Sequence, residues 1–318
     1  MTDLSFKVTP PPHIRSEESI PSAMRDVAIA LIPLIAVSLG FYRLNALINL
    51  VSCVVAAILS EVVMRKIMGR EPTLSDFSAV VTGLLIALVL PPTVPWWYAA
   101  IGAIIAVAFV KELMGGLGRN VFNPALFGFV SLIILSKLWG HLNSAISGAW
   151  YKGNIAGVTS ATPLTFVRPT ALSGVRPGYW GLFVGHAGGA LGEVSVLAVL
   201  VGAAYLIYRG HITWHIPASI IGTVFVLTAI LGENPLYMIL AGGLMLGSFF
   251  MATDWVTSPQ NKTAQIIYGI LIGVLITVIR LYGAPTGAVA YSILIGNAFT
   301  PLLNRFVVRK KFGQVAAA

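Results

Sequence analysis

Four small residues, three of them hydroxylated, stand directly before a proline in the middle of a long loop. They occupy positions 159–162, read TSAT and are followed by Pro163. Hydroxylated residues in this setting ordinarily form a turn or an N-terminal helix cap. The residues alone therefore predict a turn, although a threonine hydroxyl is also able to carry a phosphate ester.

The loop around this run, residues 138–192, carries bases but no acids. It contains Lys152, Arg168 and Arg176, whereas the chain has no aspartate or glutamate between Glu112 and Glu193. Loops of this length are usually functional or disordered. A bound anion nearby would explain a purely cationic loop, and so would chance, since a few bases in a loop are tolerated. The loop's composition leaves both explanations open.

A glycine-rich turn is a second candidate site. Residues 115–118 read GGLG, and Arg119, Asn120 and Asn123 follow them. A nucleotide-binding fingerprint needs a strand in front of its glycines, and none is predicted here. Because glycines let helices approach closely in lipid, we expect a break between two helices, lined by these three polar side chains.

Acidic residues within or beside apolar segments are costly and usually mark function. Glu61 lies one helical turn from Arg65, which predicts a salt bridge at the membrane surface, and Glu112 next to a lysine is interpreted in the same way. Glu193 opens an apolar segment, where a carboxylate suits a helix N-terminus, and Asp254 ends another. For Glu193 and Asp254, a cofactor or ion site is the alternative.

Metal chemistry is not predicted. Cys53 is the only cysteine, which excludes intramolecular disulfides, four-cysteine zinc sites and thiolate-held iron–sulfur clusters within this chain. His211 and His215 have helical spacing, but they lie among aromatic and basic residues with no acid close by in the sequence. We interpret them as residues at the membrane interface rather than metal ligands.

The amino-acid composition indicates which class of protein carries these candidate residues. Hydrophobic residues make up 57% of the 318 residues and charged residues 10%, whereas soluble proteins carry about 25% charge. A soluble enzyme is therefore excluded, and the chain is predicted to be an integral membrane protein. The net charge of +9 suits contact with anionic lipid headgroups and not with nucleic acid.

Ten apolar segments follow one another along the chain, and they predict an all-α fold because they lack the period-two alternation of a membrane barrel. Several are shorter than the ~20 residues of a straight span, which suits broken or half-spanning helices around a cavity. The segments span residues 26–42, 45–64, 77–92, 96–112, 121–137, 193–208, 214–231, 235–253, 264–280 and 284–303.

Alternating crossings place most of the 20 bases on the side of the N-terminus, which predicts that both termini are cytoplasmic. Five crossings on each side of the long loop favour two inverted repeats, since an odd number reverses the second half. The predicted divisions are a cytoplasmic segment (1–25), a first membrane half (26–137), an external loop with the candidate site (138–192), a second membrane half (193–303) and a basic cytoplasmic tail (304–318).

Several motifs in a fixed order resemble the RnfD subunit of the Rnf electron-transport complex and, more distantly, the NqrB subunit of the sodium-translocating NADH:quinone reductase. The resemblance runs nearly from end to end, and its most specific stretch is GGLGRNVFNPA at 115–125. The other motifs are PH at 12–13, MRDV at 24–27, SAVVTGLL at 78–85, FFMATD at 249–254 and GNAFTP at 296–301.

The resemblance implies a flavin esterified through its phosphate to Thr162. The family motif has glycine at the position of Ser160 and an acid at the position of Ala156. Ser160 and Ala161 would flank the FMN linkage, and the bases of the loop would neutralise the phosphate. A second, noncovalent flavin such as riboflavin is implied as well. The cofactor-binding candidates are then Thr162, Ser160, Ala161, Lys152, Arg168, Arg176, Arg119, Asn120, Asn123, Glu193 and Asp254.

The resemblance also implies a role in a larger assembly. The chain would relay electrons within a bacterial inner-membrane complex that couples ferredoxin:NAD oxidoreduction to Na⁺ or H⁺ transport. Its partners would include an FMN-bearing subunit on the outer face and iron–sulfur membrane subunits. Two alternatives stay open: the quinone-reductase subunit, whose chains are typically longer at the N-terminus, and a solute channel or transporter built on inverted repeats.

Overall fold

The computed structural model of the chain describes residues 19–71, 73–138, 164, 178–185, 188–285 and 287–307. Every regular element among these residues is helical, which confirms the all-α prediction. Most of the loop 138–192 and the two terminal segments lie outside the described residues.

The helices follow the apolar segments closely. The described part of the first half contains α1 (Ile20–Ile67), α2 (Ser78–Val89), α3 (Trp96–Ile105), the π-helix π1 (Ala106–Glu112) and α4 (Pro124–Leu138). The second contains α5 (Tyr179–Val184), α6 (Val196–Tyr208), α7 (His215–Ile230), α8 (Pro235–Leu240), α9 (Leu244–Leu246), the π-helix π2 (Gly247–Met251), α10 (Lys262–Tyr282) and α11 (Ala288–Phe306). Single 3₁₀ turns lie at Leu74–Asp76 and Leu191–Glu193.

Helix α1 joins the first two apolar segments across a sharp kink. Its 48 residues would measure about 72 Å if straight, more than twice the ~30 Å of a bilayer core. At Arg43 the backbone leaves helical geometry, with φ 48° and ψ −122°, where the sequence predicted a break between residues 42 and 45. α1 and α10 are the two described helices whose length and apolarity suffice to cross a membrane.

Breaks inside the apolar segments form the centre of the bundle. α2 ends at Leu90, in front of Pro91, and the segment predicted at 235–253 divides into α8, α9 and π2. Gly242 and Gly243 between α8 and α9 both have positive φ, at 67° and 65°, a conformation that glycine adopts without strain. These interruptions leave backbone groups facing protein cavities instead of lipid.

Glycines bring the helices into close contact. α1 packs against α2 and α6, and α10 packs against α7 and α11. A Cβ on Gly202 of α6 would collide with the carbonyl oxygen of Ala30 in α1, and a Cβ on Gly269 of α10 would lie 2.6 Å from the Ser219 side chain of α7. Small residues therefore set the distance between these helix pairs, as they do in membrane proteins.

Replacing Gly202 by alanine is expected to lower the free energy of unfolding by about 2 kcal/mol, because the added methyl forces α6 away from α1. Gly222→Ala is the matched control, since Gly222 lies inside α7 with open space around its Cβ position. There alanine is expected to stabilise by ~0.5–1 kcal/mol. Thermal unfolding of both variants in detergent measures the difference, and equal midpoints would contradict the packing assigned to Gly202.

The connections between helices gather at two opposite ends of the bundle. At the first end, the Asp26 carboxylate near the start of α1 accepts hydrogen bonds from the Tyr205 hydroxyl and the Arg209 guanidinium. At the second end, the N–H of Leu191 donates to the carbonyl of Leu90 over 3.0 Å. Among the described residues, the connections after π1, α6 and π2 line one cavity, whereas those after α2 and α10 line another.

Candidate functional site

A cavity of about 850 Å³, here called cavity A, opens near the first end of the bundle. Most of the wall is apolar, from α1, α2, α4 and π2. The polar side chains in the wall are Ser78, Thr82, Lys111, Asn120, Asn123, His211, Thr253 and Asp254, and the purely aromatic ones are Phe249, Phe250 and Trp255.

Asn123 ties the elements around cavity A together. Its Oδ1 accepts from the N–H of Leu126 over 3.2 Å and so caps α4, with Pro124 at the first helical position. Its Nδ2 donates to the carbonyl of Met251 in π2 over 3.2 Å. The side chain fixes the start of α4 against the end of π2, in the break that the glycine-rich turn predicted.

Two predicted residues present acceptors at cavity A. Asn120 is 5% exposed, and its Oδ1 is buried without a hydrogen-bond partner. Asp254, partly buried, accepts a hydrogen bond from the Thr257 hydroxyl over 3.0 Å. A ligand with N–H donors suits this wall, because an unsatisfied buried acceptor costs free energy.

Four buried charges form a network beside cavity A, here called the ionic quartet: Glu61, Arg65, Lys111 and Glu112. The Lys111 ammonium donates to Glu61 Oε2 over 2.9 Å and to the Ser78 hydroxyl. Arg65 Nε lies 3.6 Å from Glu61 Oε1 and 3.2 Å from Glu112 Oε2. The predicted Glu61–Arg65 pair is confirmed, and the carboxylates of Glu61 and Glu112 are fully buried within the protein.

The π-helix explains why two consecutive residues join the quartet. Lys111 and Glu112 end π1, whose wider turn aims both side chains into the protein. Such π-turns are frequent at functional sites. Lys111 was not predicted from the sequence, because a lysine next to a glutamate also fits an exposed interfacial pair; its position at the end of a long apolar segment was the available signal.

Replacing Lys111 alone by methionine is expected to destabilise the fold by about 3 kcal/mol, because the two carboxylates then share one cation in a buried site. Adding Glu61→Gln is expected to recover about 2 kcal/mol, since one positive and one negative charge remain. Chemical unfolding of the single and double variants measures this coupling. A double variant no more stable than Lys111→Met would show that charge balance is not what holds the quartet.

His211 is a buried partner of Asp26. Its Nε2 lies 2.7 Å from Asp26 Oδ2, and its carbonyl accepts from the Trp255 indole N–H. The sequence showed no acid beside His211, because Asp26 is distant along the chain. His215 stacks on Trp214 with ring centroids 4.3 Å apart. No cluster of three metal-ligating side chains occurs among the described residues.

A second cavity of about 670 Å³, cavity B, lies near the other end of the same helices. Its wall includes Leu164, Glu193, Gly242 and Gly243, together with parts of α2, α4 and π2. Leu164 is 6% exposed and packs against Gly242. The described part of the loop 138–192 thus contacts the break between α8 and α9.

Glu193 lies just before the start of helix α6, as predicted for the head of this apolar segment, but it is not the cap. The cap is Ser195, whose Oγ accepts from the N–H of Ala198 over 3.3 Å. Glu193 instead lies in a 3₁₀ turn, accepts from the N–H of Ala190 over 3.4 Å and faces Gly243, where a Cβ would strike its carboxylate. Its charge is therefore presented to cavity B.

Arg280 compensates for the break between α8 and α9. It is 1% exposed, and its guanidinium donates to the carbonyls of Met238, Ala241 and Gly242. These carbonyls lie at the C-terminal end of α8, where a cation is favourable, and Arg280 also attracts the Glu193 carboxylate. The available sequence signal for Arg280 was a lone base at the end of an apolar segment.

The predicted cofactor residues thus separate into groups. Asn120, Asn123 and Asp254 share cavity A, whereas Glu193 lies in cavity B and Arg119 is exposed. Thr162, Ser160, Ala161, Lys152, Arg168 and Arg176 lie outside the described residues.

Comparisons with known proteins agree over nearly the whole chain. The D component of the Na(+)-translocating ferredoxin:NAD(+) oxidoreductase complex of Acetobacterium woodii is 40% identical over 315 residues, which cover 98% of this chain and 97% of that protein. The D component of the proton-translocating ferredoxin:NAD(+) oxidoreductase complex of Clostridium ljungdahlii is 36% identical over 326 residues (97% and 96%). The D component of the ion-translocating oxidoreductase complex of Alcanivorax borkumensis is 34% identical over 334 residues (98% and 98%).

The family comparison covers the same extent, since residues 7–313 match one family throughout. Both membrane halves and both cavities fall inside this match. The chain belongs to the NQR2, RnfD, RnfE family.

Proposed function

We propose that the chain is the flavin-carrying, RnfD-type membrane subunit of an Rnf-type complex. The complex transfers electrons between ferredoxin and NAD, and this chain relays electrons through the membrane between its redox partners. The full-length similarity to the D components of three ion-translocating complexes carries this proposal. The chain has a single cysteine and so cannot hold a thiolate-bound cluster by itself. Iron–sulfur membrane subunits and an external FMN-bearing subunit are therefore its proposed partners.

One flavin is proposed to be FMN, esterified to Thr162 at cavity B. Leu164 lines that cavity and stands two residues from Thr162, a stretch of chain that spans at most about 7 Å. Lys152, Arg168 and Arg176 are proposed to stabilise the phosphate. The FMN ring would supply one- and two-electron chemistry, while the covalent link prevents its loss.

A second, noncovalent flavin such as riboflavin is proposed for cavity A. The largely apolar wall suits a flat aromatic ring system, and the orphaned Oδ1 of Asn120 suits a ring N–H donor. Asp254 and Asn123 would orient the ring at its polar edge. Trp255, held through the carbonyl of His211, would cover an open edge of the cavity.

The two cavities share walls, which supports an electron relay. Val81 and Val89 of α2 line cavities A and B respectively, and eight helical residues separate levels by about 12 Å. Helix α4 and π2 contribute to both cavities as well.

We also propose the predicted topology: ten crossings in two inverted halves, both termini cytoplasmic, in a bacterial inner membrane. The grouping of alternate connections at opposite ends of the bundle supports it, with cavity A on the cytoplasmic side and cavity B on the external side. The relatives differ in the ion they are named for, Na⁺ or protons, so membership of the family leaves the ion open.

An absorbance spectrum of the acid-precipitated chain tests the proposal against its alternatives. The chain is purified from its native host, precipitated in acid and redissolved. Flavin absorbance in the pellet supports the electron carrier, whereas a colourless pellet and supernatant would favour a solute channel or transporter. Co-purification with ferredoxin-dependent NAD reduction, rather than quinone reduction, distinguishes the Rnf subunit from the quinone-reductase subunit.

A further inference from the structure

Lys111 brings a buried ammonium group to the wall of cavity A. Lys111 and Ser78 both line the cavity, and the ammonium donates to the Ser78 hydroxyl and to Glu61 Oε2. The side chain is 1% exposed, so these two hydrogen bonds hold its charge in place. A fixed cation at a largely apolar wall exerts a strong field, because water does not screen it.

The other members of the ionic quartet lie behind this cation. Among the described residues, the wall of cavity A includes Lys111 but not Glu61, Arg65 or Glu112. Both Glu112 oxygens are buried without hydrogen bonds, and Oε1 lies 4.0 Å from the Lys111 ammonium. The quartet is neutral as a whole, yet its positive end faces the cavity and its carboxylates face away. The wall of cavity A therefore carries a cation at Lys111 and a carboxyl group at Asp254, and the potential beside Lys111 is positive.

A positive electrostatic potential affects the reduction of a flavin, because reduction gives the ring a negative charge. Two electrons and one proton convert the neutral oxidised ring into a reduced ring with one negative charge, and charges near the ring tune its electronics. The electrons come from a redox partner in the complex, or from dithionite in a titration. A nearby cation stabilises the reduced ring over the oxidised one and raises its reduction potential.

We propose that Lys111 binds the anionic edge of the reduced flavin in cavity A and sets its reduction potential, with Glu61 and Ser78 holding the ammonium in position. This inference rests on the proposed function, because it requires the noncovalent flavin. Lys111 was not among the residues of the sequence-predicted site. Its charge makes the flavin in cavity A a better electron acceptor than the same flavin without the lysine.

Charge-balanced double variants test the proposal. The full-length chain is produced without a flavin transferase, so that it lacks covalent FMN, loaded with riboflavin in detergent and titrated by spectroelectrochemistry with dithionite. Glu61→Gln/Lys111→Met is expected to lower the preference for the reduced ring about tenfold, or about 30 mV for a two-electron couple. Arg65→Gln/Glu112→Gln removes the same number of charges behind Lys111. This variant is expected to change the preference for the reduced ring less than twofold.

A single variant is expected to shift the reduction potential in the opposite direction. Glu61→Gln alone keeps Lys111 and removes its negative partner, so the potential is expected to rise. An unchanged potential in Glu61→Gln/Lys111→Met, an equal shift in both double variants, or a fall in Glu61→Gln would each overturn the role of Lys111. If the wild-type chain binds no riboflavin, the noncovalent flavin of the proposed function is lost and this inference with it.

Discussion

Replacing Thr162 by alanine is expected to abolish covalent FMN completely, because the phosphoester requires the hydroxyl of this residue. The chain is produced together with a flavin transferase, separated by denaturing electrophoresis and examined for flavin fluorescence in the gel. The expected result is a fluorescent band for the wild type and none for Thr162→Ala. Electron transfer through the assembled complex is expected to fall to background as well.

Thr159→Ala is the matched control, since this threonine lies in the same run, three residues earlier. It is expected to retain the fluorescent band. The variant also separates a general disturbance of the loop from loss of the acceptor hydroxyl. A Thr162→Ala chain that keeps its covalent flavin would show that another residue carries the FMN.

Arg280→Met is expected to destabilise the folded chain by about 4 kcal/mol. The substitution leaves the carbonyls of Met238, Ala241 and Gly242 without their donor, and it leaves Glu193 without its nearby cation. Each buried acceptor that loses its partner costs about 1–3 kcal/mol. Unfolding of the variant in detergent, followed by tryptophan fluorescence, measures the loss.

Lys262→Met is the control for this prediction, because Lys262 begins the same helix α10 and is exposed. Lys262→Met is expected to change the free energy of unfolding by no more than about 0.5 kcal/mol. Arg280→Lys is expected to recover part of the loss, since an ammonium reaches fewer of the three carbonyls. Equal stability of Arg280→Met and Lys262→Met would contradict the role of Arg280 at the break between α8 and α9.

The positions of the helices were predictable from the sequence, whereas their mutual contacts were not. Apolar runs must form helices in lipid, since every backbone group needs an internal partner; hence α7 at His215–Ile230 lies almost where the segment 214–231 was predicted. The kink at Arg43 also fell at the predicted break. The division into α8, α9 and π2 was not predicted, because hydropathy runs unbroken through it.

The site was predictable in part, and distance along the chain explains the limit. Asn120, Asn123 and Asp254 meet in cavity A, as polar residues at breaks between apolar segments should. The pairing of His211 with Asp26 joins residues 185 positions apart, which no local pattern reveals. Lys111 and Arg280 were overlooked for a related reason: a base at the end of an apolar segment looks exposed until the packing around it is known.

Mass spectrometry of the peptide spanning residues 153–168, from chain purified out of its native host, tests the central claim most directly. We predict an adduct with the mass of FMN less one water, fragmenting to a modified threonine at position 162. An unmodified peptide from a complex that is active in electron transfer would contradict it.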